Sequence, residues 1–341
     1  MVEQRHARPP ILFPVHLAIA GSVATDHLQI FPGLFSDSLV ADQLDKLSVS
    51  FLVNDLEVRR GGCAANITFG LAALGHRPTL VASVGQDFVN QGYQAWLESA
   101  GVDCSELRVS ESAHTALCTI TTDEAQAQIV TFFPGAMAEA REIDIAELHA
   151  RRPIDLLLIG PDDPEAMLRH TNTARQLGIP FAADPSQQLA FADGELISQL
   201  IDGATYLFSN DYEAALIARK TGWSDADIAS RVGIRVVTHG KDGAVVHDAA
   251  GLTWEVPAIS GLTAVDPTGV GDSFRAGFLA GVAAGLTLER SAQVGCTIAA
   301  SVVETTGTQE YVLGAEEFAA RFEANYGLDA RTEIVAALSI G

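Results

Sequence analysis

Residues 266 to 278 read Asp-Pro-Thr-Gly-Val-Gly-Asp-Ser-Phe-Arg-Ala-Gly-Phe. Gly269 and Gly271, one residue apart, stand directly before a long apolar segment that predicts a helix. Glycines in that position leave consecutive backbone N–H groups unhindered at a helix amino terminus, where the dipole favours negative charge. Gly269, Val270 and Gly271 therefore outline an anion hole. Asp272, in the same first turn, lies within reach of whatever the hole binds and can accept a hydroxyl proton. A dinucleotide fingerprint would need a third glycine where Phe274 stands, and a Walker loop would need Gly-Lys-Ser/Thr, which is absent. Taken alone, the two glycines also fit a tight turn and Asp272 a favourable first-turn charge.

Other residues suit the same chemistry. Gly61-Gly62-Cys63-Ala64-Ala65-Asn66 offers a diglycine that lets backbone approach a substrate, followed by an asparagine that can both donate and accept; a diglycine is also a common helix entry. Gly21-Ser22-Val23-Ala24-Thr25-Asp26 follows the first predicted strand. Ligands of open α/β sheets bind beyond the carboxyl ends of strands, so Asp26 is placed to accept hydrogen bonds from two vicinal hydroxyls, or else to cap a turn. Phe132 offers a flat apolar face for an aromatic ring, or packs under its own sheet, and Gln187 or Gln188 can pair with ring nitrogens.

These residues need elements to hold them. Apolar runs at 17–20, 79–84, 156–159, 180–183, 206–208 and 235–238 alternate with helix-length segments at 64–74, 88–99, 164–176 and 212–220. Short buried strands alternating with amphipathic helices predict a doubly wound α/β domain, with a mostly parallel sheet and helices on both faces. Two stretches, about 27–60 and 114–133, are rich in β-branched and aromatic residues; Leu47–Val53, Thr119–Thr122 and Gln128–Phe133 read as antiparallel strands of a small β lid. From Gly269 onward the chain reads as consecutive helices, with Gly285 and Gly307 as stops.

Of 341 residues, 21 are Lys or Arg and 43 Asp or Glu, a formal net charge of -22. Such a field repels phosphate backbones and anionic lipid, which argues against nucleic-acid and membrane partners. It also means that a phosphate site must rely on backbone N–H groups, bound cations and a few local side chains. Four scattered cysteines with no Cys-x-x-Cys predict reduced thiols in a cytoplasm, and nine histidines without metal-ligand spacing predict no histidine-ligated metal. Residues 1–14 read as a loose tail. Arg5 and Arg8 before the apolar run 11–20 imitate a secretory signal, but Pro14 and His16 interrupt it; a misplaced start, with translation beginning near Val15, is the expectation instead.

The stretch around Asp272 resembles the second signature of the ribokinase-like, or PfkB, family of carbohydrate and nucleoside kinases, and Gly61–Asn66 resembles the first. The resemblance runs from about Val15 to the end, as one kinase domain over 15–341. It implies Asp272 as catalytic base and Gly269, Val270 and Gly271 as the anion hole. Asn210-Asp211-Tyr212-Glu213 looks like the family's Asn-x-x-Glu, in which Glu213 helps to hold Mg²⁺, mostly through water, near ATP. Thr238-His239-Gly240-Lys241-Asp242-Gly243 resembles the segment bordering the nucleotide, which gives Asn210, Thr238, Gly240, Gly243, Gly269 and Gly271 as ATP contacts. Segments 132–137, 184–189 and 306–310 resemble those of actinobacterial adenosine kinases. That likeness implies adenosine as acceptor, held by Ser22, Asp26, Gly62, Asn66, Phe132, Gln187 and Gln188. It further implies a homodimer clasped through the lids, which would bring Ser50 to the partner's site. Val49, Phe51 and Val53 are expected to form the apolar edge. Phe191, where those kinases tend to show arginine, and Cys118, where an aromatic is expected, depart from the pattern. A sugar kinase, or a silent nucleoside-binding protein of the same fold, is the alternative.

Overall fold

The computed structural model describes residues 15–38 and 49–338; the expected tail at 1–14, and Leu47 and Ser48 of the expected lid strand, lie outside them. Fourteen strands are described: β1 Leu17–Ala20, β2 Ala24–Ile30, β3 Asp55–Gly61, β4 Thr79–Val81, β5 Ser83–Val84, β6 Arg108–Val109, β7 Ala116–Thr122, β8 Gln128–Phe133, β9 Leu156–Ile159, β10 Phe181–Ala183, β11 Tyr206–Asn210, β12 Ile234–Thr238, β13 Ala244–Asp248 and β14 Thr253–Val256.

Eight of them form the central sheet in the order β14-β13-β12-β11-β10-β9-β1-β4. All neighbours from β4 to β12 pair in parallel, and β13 and β14 add an antiparallel edge. Short all-apolar runs such as Leu17–Ala20 and Leu156–Ile159 make strands buried on both faces, as a parallel sheet between helices requires. One helical layer packs through Ile67, Leu71, Phe278, Leu279 and Ile298, the other through Leu148, Met167, Leu200 and Ile217. The chain leaves β1 toward β4 on one side and returns through β9 to β12 on the other, so strand order reverses at β1. The crevice beyond the strand ends at that point is where ligands bind in such sheets.

The lid is a separate sheet, β3-β2-β7-β8. β2 pairs antiparallel with β3 and parallel with β7, and β7 pairs antiparallel with β8. Three expectations need correction: the lid is not wholly antiparallel, since β2 runs parallel to β7. Residues 49–53 form no strand; Phe51 instead packs against Phe31 and Phe35, with ring centroids 5.0 Å away in each case, so that burying an aromatic side chain takes precedence over extending a ladder. The apolar edge expected there is thereby partly covered. The predicted helix at 88–99 is likewise broken, because Gly92 adopts a left-handed φ of 81° and starts a new helix at Tyr93.

The helix Val270–Ala283 turns at Gly285 into the helix Leu288–Val303. Their contact is close because glycines face it: a Cβ on Gly277 would stand 2.7 Å from Cα of Gly295. This hairpin fixes the direction of the Val270 helix and hence of its amino terminus. Gly277→Ala should therefore lower stability by about 1–3 kcal/mol, read as a lower urea midpoint at unchanged slope. Unchanged stability would show that the helices are not pressed together there.

Candidate active site

Ser22, Asn210 and Thr238 of the expected site residues stand at the carboxyl ends of the parallel strands. Beyond β1, Ser22 donates its N–H to the Pro161 carbonyl (3.0 Å), and its Oγ accepts from Cys63 N (3.1 Å). Gly62 opens the helix Cys63–Ala73 with φ 96°. A Cβ on it would lie 2.5 Å from Val23 Cα and 2.7 Å from the Ser22 carbonyl oxygen. Glycine is thus required here by the close approach of two backbone segments. Asp26, expected to end the first core strand, lies instead inside lid strand β2, because the chain turns after β1 and Ala24 already pairs with Gly61 and Ala116.

Asp272 sits in the first turn of the Val270 helix, behind Gly269, whose φ of 74° is left-handed. A Cβ on Gly269 would meet Thr308 Cγ2 at 2.9 Å. Asn66 Nδ2 donates to Asp272 Oδ2 at 2.8 Å. Burial pushes the Asp272 carboxyl above the usual range, and Glu213 adds to this, while Arg275, Asn66 and the Cys63 thiol pull it back. A carboxylate so placed can accept a proton from a hydroxyl brought beside the anion hole.

Arg275, which sequence reasoning passed over, is 6% exposed and lies beneath this turn. Its Nη2 donates to Asp184 Oδ1 at 2.7 Å and its Nε faces Asp184 Oδ2; Glu213 is 3.9 Å away. Burial pushes Asp184 up to about 6, against the pull of Arg275. A Cβ on Gly271 would fall 2.8 Å from Arg275 Nη1. The second glycine makes room for a guanidinium as well as freeing an N–H. The legible signal was the i to i+4 spacing of Gly271 and Arg275 on one helix face, since long side chains fold back toward the helix start.

Asn210 and Thr238 end the neighbouring strands β11 and β12 in register. Asn210 and Glu213 cap the helix Asp211–Thr221 reciprocally: Glu213 N donates to Asn210 Oδ1, and Asn210 N to Glu213 Oε2, both at 2.8 Å. With Ser186 Oγ also 3.3 Å from Glu213 Oε1, the carboxylate is oriented and partly occupied. Among the described residues no group of three His, Cys, Asp or Glu stands ready for a metal. The donor set therefore fits a magnesium ion that keeps its waters better than one ligated directly by protein. Gly240, at φ 55°, lies in an open turn, whereas a Cβ on Gly243 would strike the Val256 carbonyl oxygen at 2.0 Å, so Gly243 is held by the β13–β14 edge.

Across the lid, Asp26, Cys118 and Phe132 stand side by side in register, and Arg59 faces Asp26 from β3. Cross-strand partners share a face, so the carboxylate and the aromatic ring lie on the same side of the lid. Phe132 is 52% exposed; it does not pack as lid core. Burial pushes Asp26 up to about 6, with Arg59 opposing and Asp266 and Asp272 reinforcing. Arg59 also pairs with Asp266 (3.2 Å), whose carboxylate accepts from Thr268 N and Gly307 N. The lid is thereby tied to the loops flanking the anion hole. Gln188 donates to the Asp162 carbonyl (2.8 Å), while Gln187 is exposed and Phe191 is 86% exposed. Ser50 is exposed on the irregular segment before β3. Gln309 and Tyr93 were also passed over: Gln309 Nε2 lies 2.9 Å from Asn66 Oδ1 and 2.6 Å from Tyr93 Oη.

The family model for pfkB family carbohydrate kinases matches residues 23–313. The nucleoside kinase of Burkholderia thailandensis, solved with inosine, is 35% identical with a TM-score of 0.79, over 92% of this chain and 98% of that one. Nucleoside kinase from Methanocaldococcus jannaschii is 32% identical over 73% of this chain and 80% of its own. An ATP-dependent ribose-1-phosphate kinase from Halopiger xanaduensis is also 32% identical, over 71% and 80%.

Two outcomes follow from the geometry. Asp272→Asn should keep fold and ligand binding and lower turnover by ~10²–10⁴; near-normal turnover would remove Asp272 as a base. Because burial pushes the Asp26 carboxyl up to about 6, the Michaelis constant for a hydroxyl-bearing acceptor should rise as pH falls through that value, and Asp26→Asn should abolish the dependence. A pH-independent Michaelis constant in the parent enzyme would separate Asp26 from the substrate.

Proposed function

The chain belongs to the pfkB family of carbohydrate kinases, and on that footing we propose that it transfers the γ-phosphoryl group of ATP to the 5′-hydroxyl of adenosine, giving AMP and ADP. The observation that carries the reading is Asp272 in the first turn behind Gly269 and Gly271, with Asp26 and Phe132 facing together from the lid. Asp272 takes the hydroxyl proton as the 5′-oxygen bonds to the γ-phosphorus, and the bond from that phosphorus to the bridging oxygen breaks, its electron pair leaving with ADP. N–H groups of residues 269 to 271 stabilise the moving charge. Asp26, Gly62 and Asn66 hold the ribose, with Ser22 beside them; Phe132 stacks on the base, and Gln187 and Gln188 line its edge.

Asn210, Thr238, Gly240 and Gly243 border the nucleotide. Magnesium, when bound, neutralises phosphate charge, and Glu213 with Asn210 would hold it through water. The lid excludes water, which would otherwise compete as acceptor. Nucleoside-kinase relatives, one of them solved with inosine, support a nucleoside as acceptor. The ribose-1-phosphate kinase similarity favours one other reading, phosphorylation of a smaller ribose compound. Four free thiols fit a cytoplasmic setting.

We place a homodimer contact on the lid, where Leu52, Leu56, Val58, Ile129 and Phe133 are exposed; light scattering should give twice the chain mass at micromolar concentration, and a monomer would remove the contact. An ADP-release panel of adenosine, inosine, cytidine, ribose, fructose and ribose 1-phosphate should favour adenosine. Phe132→Ala should raise the adenosine Michaelis constant roughly ten- to hundredfold, from the loss of a stacking face worth ~1–3 kcal/mol, and leave that of ATP unchanged. Efficient turnover of ribose or fructose with none of any nucleoside would overturn the nucleoside reading. An unaffected Phe132→Ala would move the stacking role elsewhere.

A further inference from the structure

We propose that Tyr93 and Gln309 are positioning residues that make Asn66 present its amide N–H, rather than its carbonyl oxygen, to Asp272. The inference rests on Asp272 acting as the base. It follows from the direction in which hydrogen bonds can run. The Gly61 carbonyl can only accept, and Tyr93 Oη lies 2.9 Å from it, so the phenol proton is committed to that bond. The oxygen of Tyr93 is then left as an acceptor, and Gln309, 2.6 Å away, meets it with Nε2. The second hydrogen of that amide goes to Asn66 Oδ1 at 2.9 Å. With its oxygen so occupied, Asn66 turns Nδ2 to Asp272 Oδ2 at 2.8 Å. Each link leaves the next a single orientation.

The reverse polarity would take the hydroxyl from Gly61 and set Asn66 Oδ1 against the carboxylate. A buried carboxylate facing an acceptor takes up a proton, and a protonated Asp272 cannot receive one from substrate. The relay runs through four separate segments: the end of β3, the helix Tyr93–Ala100, the loop at Gln309 and the helix Cys63–Ala73. Gln309 is 0% exposed and its Oε1 has no partner among the described residues. That costs stability which an apolar side chain would avoid, so packing alone does not account for a glutamine here.

Tests use the full chain with MgATP and the acceptor that the panel identifies. The charged and titratable groups facing Asp272 are Arg275 on its own helix, Cys63, Glu213, Asp184 beyond β10, Asp26 from the lid, and Tyr311. All of them stay in place in the variants, so a displaced pH profile reports the relay. Gln309→Leu should lower kcat about ten- to a hundredfold, the equivalent of one charge-assisted hydrogen bond, with the KM for ATP unchanged and the acid limb of kcat moved to higher pH. Gln309→Met, similar in length but unable to donate at any pH, should lose as much. Tyr93→Phe, which removes one oxygen and keeps the ring, should move the limb the same way, and Tyr93→Phe/Gln309→Leu should be no worse than Gln309→Leu. Normal kcat in these variants, multiplying losses in the double variant, or a lower melting temperature with an unmoved acid limb would each overturn the relay. If Asp272→Asn is inactive and Gln309→Leu normal, only the relay falls; if Asp272→Asn is active, the base itself falls.

Discussion

On the proposed function, a carboxylate that must stay ionised while buried beside a site for a polyanion is the constraint on which the rest of this structure turns. Burial favours the protonated acid, and bound phosphate would favour it further. The chain carries a formal net charge of -22, so no general positive field offsets this. Local groups must do so: the amino terminus of the Val270 helix, the Asn66 amide, and the Arg275 guanidinium beneath Gly271. Arg275 is in turn outnumbered by Asp184 and Glu213, which keeps it fixed in place at a cost in desolvation.

The architecture serves that small volume. Parallel strands deliver Ser22, Asp184, Asn210 and Thr238 to one edge of the sheet, and the glycine-faced helix hairpin aims the Val270 helix at the same edge. The lid reaches it from above, latched by Arg59 to Asp266 and by the Arg60 carbonyl to Thr308 Oγ1 at 2.9 Å. Residues on both sides of the anion hole are thus mechanically joined to the strands that carry Asp26 and Phe132. On the proposed function, acceptor binding and the phosphate site would share one set of contacts, which suits a reaction in which water must be kept out.

Much of this was legible in the sequence where local physics decides the outcome. Leu17–Ala20, Leu156–Ile159 and Gln128–Phe133 are strands over the residues expected, because an apolar or alternating run between turn residues has few other options. Gly269 is left-handed at a helix start, and Asp272 follows it, as the spacing implied. Tertiary choices were not legible. Residues 49–53 have the composition of a strand, yet Phe51 is taken by Phe31 and Phe35. The bond from Gln188 to the Asp162 carbonyl, which orients one of the two glutamines expected at the base, joins residues 26 apart and was not foreseen. Gln309 and Tyr93 are 216 residues apart, and no periodicity links positions so distant.

The reading that matters most is that a nucleoside hydroxyl accepts the phosphoryl group under the control of Asp272. Phosphorus NMR of a reaction of adenosine with MgATP tests it most directly. The expected product is a phosphomonoester coupled to the 5′-methylene protons, formed in step with ADP by the parent enzyme and not by Asp272→Asn. Inorganic phosphate as the only product, or the same phosphomonoester formed at the parental rate by Asp272→Asn, would contradict it.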